Sequence, residues 1–102
     1  MVLEDNVLLA SHVHFITNRH LYEDPTLPVR EQGNDPSPIR ICENSWIGID
    51  VIVLAGVTVG RNSVVGSGSI VREDVPDRSI VVGSPARLVR RYDSELGAWV
   101  RP

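Results

Sequence analysis

The sequence contains no lysine and a single cysteine, and aromatic residues make up only 5% of it. Cys42 alone cannot form an internal disulfide, which excludes a disulfide-stabilised secreted scaffold and fits a reducing cytoplasm. All ten basic residues are arginine, against 13 acidic residues, and the net charge is −3. Residues 77–102 hold five arginines against three acidic residues, too weak a positive balance to predict nucleic-acid binding.

Long apolar runs are also missing. No run approaches the ~20 residues that a membrane-spanning helix needs, so no membrane partner is expected. No basic segment followed by an apolar core marks a secretory signal, and we expect a cytoplasmic protein. With 102 residues, of which 42% are hydrophobic, the chain forms one globular domain at most.

What the sequence does contain is a repeat of six residues between Ile41 and Pro76. Read in sixes, this stretch is ICENSW, IGIDVI, VLAGVT, VGRNSV, VGSGSI and VREDVP. The first place of each hexad is aliphatic, and the fifth place is serine or valine. A fixed period carried through several repeats is the signature of a solenoid.

Because six is even, the first and fifth places of a hexad share one face of an extended chain. A helical stripe would need spacings of three and four, and the many β-branched residues favour strands. Glycines in the second and fourth places suit corners where the chain bends sharply or takes a positive φ. The sequence therefore predicts an all-β parallel solenoid with the first and fifth places in its core.

The single domain, residues 1–102, divides into four segments. These are a first coil at 1–16, an excursion loop at 17–38, the main coils at 39–76 and a C-terminal extension at 77–102. The loop holds four prolines, and loops of this length are often functional. The final SELGAWVRP is expected to be a short helix or disordered. Because the repeat is already running at Leu3, we expect a partial chain that lacks earlier coils, or a minimal one that relies on assembly.

The stretch IGIDVIVLAGVTVGRNSVVGSGSIV, followed by VVGSPARLVRR, resembles the hexapeptide-repeat acyltransferases, in particular the sugar O-acetyltransferases and xenobiotic acetyltransferases. This resemblance implies a left-handed parallel β-helix, although β-crossovers in general favour the right hand. It also implies acetyl-CoA as co-substrate, no metal, a saccharide or small-molecule acceptor, and a homotrimer.

His20 stands in the loop sequence TNRHLYEDP and matches the histidine that serves as general base in this family. An imidazole with a pKa of about 6.5 is suited to deprotonate a sugar hydroxyl near neutral pH. Thr17 and Asn18 depart from the family's usual residues. The alternative is that His20 is a solvated loop residue.

The same resemblance implies residues that line the pantetheine channel of the acyl donor. Ile49 and Ser67 match positions whose backbone lines that channel. Trp46 matches a residue near the channel or near a neighbouring subunit, and its alternative role is to pack at a corner of the coil.

The donor's nucleotide end is assigned to arginines by resemblance. Arg87 and Arg90 match residues that hold the phosphates, a task that suits the guanidinium fork. Arg72 matches a further donor contact, whereas Glu73 replaces the family's usual cation. The alternative is that the C-terminal arginines form a solvated basic face.

These assignments predict an O-acetyltransferase that moves acetyl directly from acetyl-CoA to an acceptor hydroxyl. Nothing near Cys42 marks an activated thiolate, which disfavours an acyl-cysteine route. His12, His14 and His20 also raise the alternative of a zinc enzyme like the γ-class carbonic anhydrases, although no fourth ligand is evident. A catalytically silent scaffold is the remaining alternative.

Overall fold

The computed structural model describes all 102 residues and shows an all-β solenoid of short strands. In chain order the strands are β1 (Val2–Leu3), β2 (Leu8–Leu9), β3 (His14–Phe15), β4 (Asn18–His20), β5 (Asn34–Pro36), β6 (Arg40–Ile41), β7 (Trp46–Ile47), β8 (Ile52–Val53), β9 (Thr58–Val59), β10 (Val64–Val65), β11 (Ile70–Val71), β12 (Ser79–Val82), β13 (Arg87–Asp93) and β14 (Ala98–Val100). A 3-10 turn spans Val29–Glu31. The chain has no helix that could span a lipid bilayer.

Three parallel sheets run along the solenoid, one on each face of a triangular coil. Face 1 is β1–β6–β9, face 2 begins with β2–β7–β10–β12, and face 3 is β3–β8–β11. Arg40 pairs with Thr58 and Trp46 pairs with Val64, so equivalent residues of successive coils are 18 positions apart. Three hexads therefore make one coil, and each hexad contributes one face.

The core is formed by the first and fifth places of the hexads, as predicted. Eleven aliphatic side chains make one buried cluster. They are Ile39, Ile41, Ile47, Val51, Val53, Val57, Val59, Val65, Val71, Val75 and Val81. Four buried serines stand beside them, Ser45, Ser63, Ser69 and Ser79. Each serine hydroxyl donates to a backbone carbonyl, which offsets the cost of burying it.

The first coil is less well covered than the two that follow. Leu3 and Leu9 hold the same hexad place as the fully buried Ile41 and Ile47, yet they are 43% and 37% exposed. Only one coil stacks against them, through β6 and β7. The apolar side of the first coil therefore faces solvent in the isolated chain.

The second and fourth places of the hexads lie at the corners between faces. Seven fourth-place residues have φ between 54° and 80°, and most are types that tolerate it. They are Asn6, His12, Asn44, Asp50, Gly56, Asn62 and Gly68. The second-place glycines have no positive φ: a Cβ on Gly60 would lie 2.5 Å from the backbone nitrogen of Asp77. They are needed because the next coil passes too close for a side chain.

The C-terminal residues extend face 2 as a hairpin, so the prediction of a short helix or a disordered tail is wrong. β13 pairs antiparallel with β12, and β14 pairs antiparallel with β13. Across this last pair, the rings of Tyr92 and Trp99 meet edge to face, with centres 5.5 Å apart. The Asp93 carboxylate accepts hydrogen bonds from the N–H groups of Glu95 and Leu96 and closes the turn.

The excursion at residues 17–38 is a second hairpin. β4 and β5 pair antiparallel, and at the base the N–H of Ser37 donates to the carbonyl of Thr17 at 2.8 Å. The hairpin leaves and re-enters the solenoid at the corner between faces 3 and 1. Coil stacking continues across it, because Val2 pairs with Arg40 in register.

Candidate functional site

His20 is the last residue of β4, on the hairpin that projects from the corner between faces 3 and 1. Its side chain is exposed, and Asn34 is its cross-strand neighbour. A strand pair holds the backbone of His20 in place while the imidazole stays open to solvent. The arrangement suits a base that must meet a substrate from outside the coil.

Arg19, beside His20, is held by two carboxylates. Its Nη1 donates to Glu23 Oε1 at 2.8 Å, and its Nη2 lies 3.9 Å from Asp35 Oδ2. Its guanidinium also lies 5.8 Å from the ring centre of Tyr22. The hydrogen bond between the two side chains raises the pKa of Arg19 and lowers that of Glu23. Exposed pairs of this kind add little to global stability but orient the local chain.

Polar side chains also close the turn beyond His20. The Asp24 carboxylate accepts hydrogen bonds from the hydroxyl and the N–H of Thr26, which lower the pKa of Asp24. The Gln32 amide donates to the carbonyls of Asp24 and Leu27, and its oxygen accepts the N–H of Asp24. The hairpin thus has a defined shape without a buried side chain.

An open cleft of about 350 Å³, the hairpin cleft, lies at the base of the hairpin. Its lining residues are Ile16, Asn18, Arg19, Leu54, Ala55 and Arg72. Ile16, Leu54 and Arg72 hold the second hexad place in three successive coils and so stack along one corner. Arg72 forms no ion pair with a carboxylate, so the cleft has a free cation.

Arg72 also borders a second cleft of about 180 Å³, the arginine cleft. Its lining residues are Val71, Arg72, Glu73, Asp74, Val75, Pro76, Val81, Ala86, Arg87 and Leu88. The chain closes over this end of face 3 because the Ile70 N–H donates to the Gly83 carbonyl and the Ala86 N–H donates to the Ile70 carbonyl. Two of the sequence-predicted donor residues, Arg72 and Arg87, therefore share one cleft.

Arg87 and Arg90 lie on the same side of β13, although residues three apart in a regular strand point to opposite faces. The register between β12 and β13 shifts between Ile80 and Val81. As a result, Arg90 pairs with Ile80 and Arg87 pairs with Val82. Those two partners flank the buried Val81 and so share the outer face, which brings both arginines to it.

Ile49 and Ser67 stack at the corner between faces 2 and 3. The Gly68 N–H donates to the Ile49 carbonyl at 2.8 Å and ties the two coils together. Neither the Ile49 N–H nor the Ser67 N–H donates to a backbone carbonyl. Both groups can therefore donate to a ligand.

The corner between faces 1 and 2 differs in this respect. There the equivalent N–H of Glu43 donates to the Glu4 carboxylate at 3.0 Å, and that of Arg61 donates to the Asp77 carboxylate at 3.0 Å. Side chains from neighbouring coils thus occupy the donors at one corner. At the corner at Ile49, no carboxylate accepts a hydrogen bond from the Ile49 or Ser67 N–H.

Trp46 lies on the outer side of face 2 and is 50% exposed. It pairs with Leu8 in the coil before it and with Val64 in the coil after it, and together these side chains form an apolar stripe. Trp46 lines neither the hairpin cleft nor the arginine cleft. The structure therefore does not bring it together with the other predicted donor residues.

The three histidines do not converge. His12 lies at the corner between faces 2 and 3, with its Nδ1 3.6 Å from Asp50 Oδ1, while His14 lies on face 3 and His20 on the hairpin. No three His, Cys, Asp or Glu side chains are grouped so that they could hold a metal. Burial raises the pKa of the Cys42 thiol, and the thiol is therefore a poor nucleophile.

The sequence reasoning missed the polar residues that shape the hairpin, among them Arg19, Glu23 and Gln32. Arg19 and Glu23 are four residues apart, a spacing that predicts contact only in a helix. Gln32 reaches Asp24 only because β4 and β5 pair. No local pattern in the sequence specifies that register.

Comparison with known proteins agrees with this architecture. Residues 38–73 match the family model described as bacterial transferase hexapeptide (six repeats). A probable acetyltransferase of Mycobacterium tuberculosis is 45% identical over 86 residues, which cover 84% of this chain and 29% of that protein. A galactoside acetyltransferase solved with coenzyme A has a TM-score of 0.80 at 38% identity, over 92% of this chain and 46% of that one.

A maltose O-acetyltransferase from Clostridium difficile 630 also has a TM-score of 0.80, at 37% identity, over 90% of this chain and 49% of that one. The chain thus spans less than half the length of each of these three relatives. The repeat, the three-faced coil and the similarities agree, and the solenoid is the left-handed parallel β-helix that the resemblance implies. Residues 38–73 thus carry the repeat of the bacterial hexapeptide transferases, and the chain is similar to acetyltransferases over most of its length.

Proposed function

We propose that this chain binds acetyl-CoA and transfers its acetyl group to a hydroxyl of a saccharide or another small molecule. The observation that supports the proposal is the grouping of three arginines: Arg72 and Arg87 line one cleft, and Arg87 and Arg90 share one side of β13. Guanidinium groups placed together suit the phosphates of a nucleotide. The similar galactoside acetyltransferase was solved with coenzyme A, which supports this choice of ligand.

The pantetheine arm would lie along the corner at Ile49 and Ser67. Their N–H groups make no backbone hydrogen bond and can donate to the amide carbonyls of the arm. Such contacts come from the main chain, so they do not depend on side-chain identity. An isoleucine at position 49 is therefore compatible with a contact to the pantetheine arm.

His20 is the proposed general base. Its neutral imidazole takes the proton of the acceptor hydroxyl while the oxygen attacks the thioester carbonyl carbon. The C–S bond then breaks, the acetyl ester forms, and the imidazolium returns its proton to the leaving thiolate of CoA. No electron donor or acceptor is needed. Cys42, with its raised pKa, takes no part.

A complete site requires more than one copy of the chain. His20 projects from the corner between faces 3 and 1, whereas Ile49 and Ser67 lie at the corner between faces 2 and 3. We propose a homotrimer in which the hairpin of one copy reaches the donor corner of the next. The exposed apolar stripe that contains Trp46 gives such an assembly a surface to bury.

The hairpin cleft is the proposed acceptor site. It adjoins the strand that carries His20, and the Asn18 side chain in its lining can donate hydrogen bonds to hydroxyl groups. A saccharide acceptor is supported by the galactoside and maltose acetyltransferases to which the chain is similar. The reaction is placed in the cytoplasm, where Cys42 remains a free thiol.

His20→Ala tests the base. We expect turnover of acetyl-CoA with a saccharide acceptor to fall by at least ~10²-fold, while the CoA affinity measured by calorimetry stays nearly unchanged. His14→Ala is the matched control, because His14 is also exposed but lines neither the hairpin cleft nor the arginine cleft. Unchanged turnover in His20→Ala would remove His20 from the mechanism.

Arg87→Gln tests the donor site. We expect CoA to bind about tenfold or more weakly, because a charged hydrogen bond to phosphate is lost. Arg101→Gln removes an exposed arginine outside both clefts and should leave CoA affinity unchanged. A folded protein that binds no CoA would instead support the silent scaffold, and stoichiometric zinc in the purified protein would support the alternative of a zinc enzyme like the γ-class carbonic anhydrases.

A further inference from the structure

A third pocket, of about 360 Å³, lies at the corner between faces 1 and 2. Asn62, Arg78, Tyr92 and Trp99 line it, and none of them borders the hairpin cleft or the arginine cleft. The walls are built on fixed elements. The Arg78 N–H donates to the Arg61 carbonyl at 2.8 Å, and the Tyr92 N–H donates to the Arg78 carbonyl at 2.9 Å.

Two aromatic rings form one side of this corner pocket. Tyr92 and Trp99 are direct cross-strand partners in β13 and β14, with their rings inclined at 72°. Trp99 remains 42% exposed despite this contact. Two rings at a steep angle make an apolar corner against which a further planar ring can stack or meet edge to face.

Arg78 is an unusual residue for its position. The register of β10 with β12 makes Arg78 equivalent to Asn62, and the earlier residues at this corner are Asn6 and Asn44. Asparagine tolerates the positive φ required there. Arg78 adopts φ 52° without that advantage, and its guanidinium forms no ion pair with a carboxylate. No acidic residue lines the pocket either. An arginine thus stands at a strained position with its charge unmatched.

We propose that the corner pocket binds a small anionic ligand that carries a planar aromatic ring. The ring lies against Tyr92 and Trp99, the anionic group pairs with the Arg78 guanidinium, and the Asn62 amide supplies a further hydrogen bond. A carboxylate and a phosphate both meet this description. The corner pocket shares no lining residue with the proposed acetyl-transfer site, so this proposal does not depend on that function.

The test follows the two indole N–H signals of Trp46 and Trp99 by NMR on the full chain. Benzoate should shift the Trp99 signal saturably and leave the Trp46 signal in place. Benzyl alcohol, which keeps the ring without the charge, and acetate, which keeps the charge without the ring, should each bind at least about tenfold more weakly. Phenyl phosphate compared with benzoate then shows which anion is preferred.

Arg78→Asn is the decisive variant, because three asparagines already occupy equivalent positions at this corner. It should fold with an undiminished melting temperature and bind benzoate at least about tenfold more weakly. Arg101→Gln, which removes a charge outside the pocket, should bind benzoate normally. The proposal is overturned if benzoate gives no saturable shift of Trp99, if Arg78→Asn binds it as well as the wild type, or if benzyl alcohol binds equally well. Displacement of benzoate by CoA, together with weaker benzoate binding in Arg87→Gln, would also overturn it by merging the pocket with the donor site.

Discussion

The second and third coils, residues 39–75, and the hairpin at residues 17–38 are stabilised in opposite ways. In the coils, the first and fifth places of each hexad are buried, and parallel pairing joins each turn to the next. In the hairpin, no side chain is buried. Its shape rests on polar contacts such as those of Arg19 with Glu23 and of Gln32 with Asp24.

Because of this difference, the segment that carries the proposed base is not the segment that sets global stability. Segments with few buried contacts open at low free-energy cost, whereas core strands open only with global unfolding. The proposed base lies on the weakly held segment, and the proposed pantetheine contacts, Ile49 and Ser67, lie on the coils. Substitutions in the coils should therefore change global unfolding, and substitutions in the hairpin should change local opening and turnover.

Ile47→Ala tests the coil side with the largest expected effect. Ile47 is fully buried, so truncation should lower the free energy of unfolding by about 2–5 kcal/mol. Leu27→Ala, at a side chain 47% exposed in the hairpin, should change it by about 0.5 kcal/mol or less. Urea unfolding followed by circular dichroism measures both free energies. Equal losses in the two variants would show that coil and hairpin side chains contribute alike to global stability.

Gly60→Ala tests the close approach of successive coils. The added Cβ would meet the Asp77 backbone at 2.5 Å, and the coils would have to separate, at a cost of about 1–3 kcal/mol. Gly68→Asn is the control, because Gly68 has φ 73° and no atom near its missing Cβ, and asparagine holds the same hexad place with a positive φ at the corner between faces 1 and 2. Thermal unfolding should show a clear loss only for Gly60→Ala. A similar loss in both would mean that crowding is not the cause.

The Glu4 carboxylate should make the first coil sensitive to acid. Its hydrogen bond to Arg40, with a further one from the Glu43 N–H, lowers the pKa of Glu4 below the ordinary 4.5. The stabilisation is therefore complete above about pH 4.5 and is lost as the pH falls through the lower, native value. Glu4→Gln should show a smaller drop in urea midpoint between pH 5.5 and more acidic solution than the wild type does. An identical drop in both proteins would contradict this role.

Glu23→Gln should have the smallest effect, confined to the hairpin. Loss of the charged partner of Arg19 should speed hydrogen exchange at the Leu21 N–H, which donates to the Gly33 carbonyl, by up to about fivefold. The Ile52 N–H in the coils should exchange as before, and the melting temperature should stay the same. Faster exchange throughout the chain would show that the hairpin and coils open together.

The sequence predicted the coils well because their geometry repeats. Each hexad meets the same environment, so the period alone placed Ile47, Val53 and Val59 in the core. The left hand of the coil came from family resemblance, since the alternation of inward and outward residues is the same for either hand. Non-repeating parts had no such support. In the C-terminal hairpin Tyr92 packs against Trp99, and the six-residue repeat does not predict this contact.

The sequence proposed candidate site residues by type but could not give their arrangement. Arg87 and Arg90 were predicted from the resemblance, but their common side depends on a shift in strand register that the sequence does not reveal. Arg72 was predicted as a donor contact, and its position between two clefts follows from the hairpin's place beside it. The sequence did not predict the corner pocket, because its four residues come from three separate stretches of chain.

The insertion of the hairpin between stacked coils also sets an order of assembly. Val2 must find Arg40, 38 positions away, whereas Arg40 finds Thr58 only 18 positions away. Loop closure becomes costlier with length, by about 0.6 kcal/mol for each doubling. We therefore expect the coils at residues 39–75 to form the nucleus and the coil at residues 1–16 to dock onto them afterwards. Across the hairpin, the solenoid would grow against the direction of synthesis.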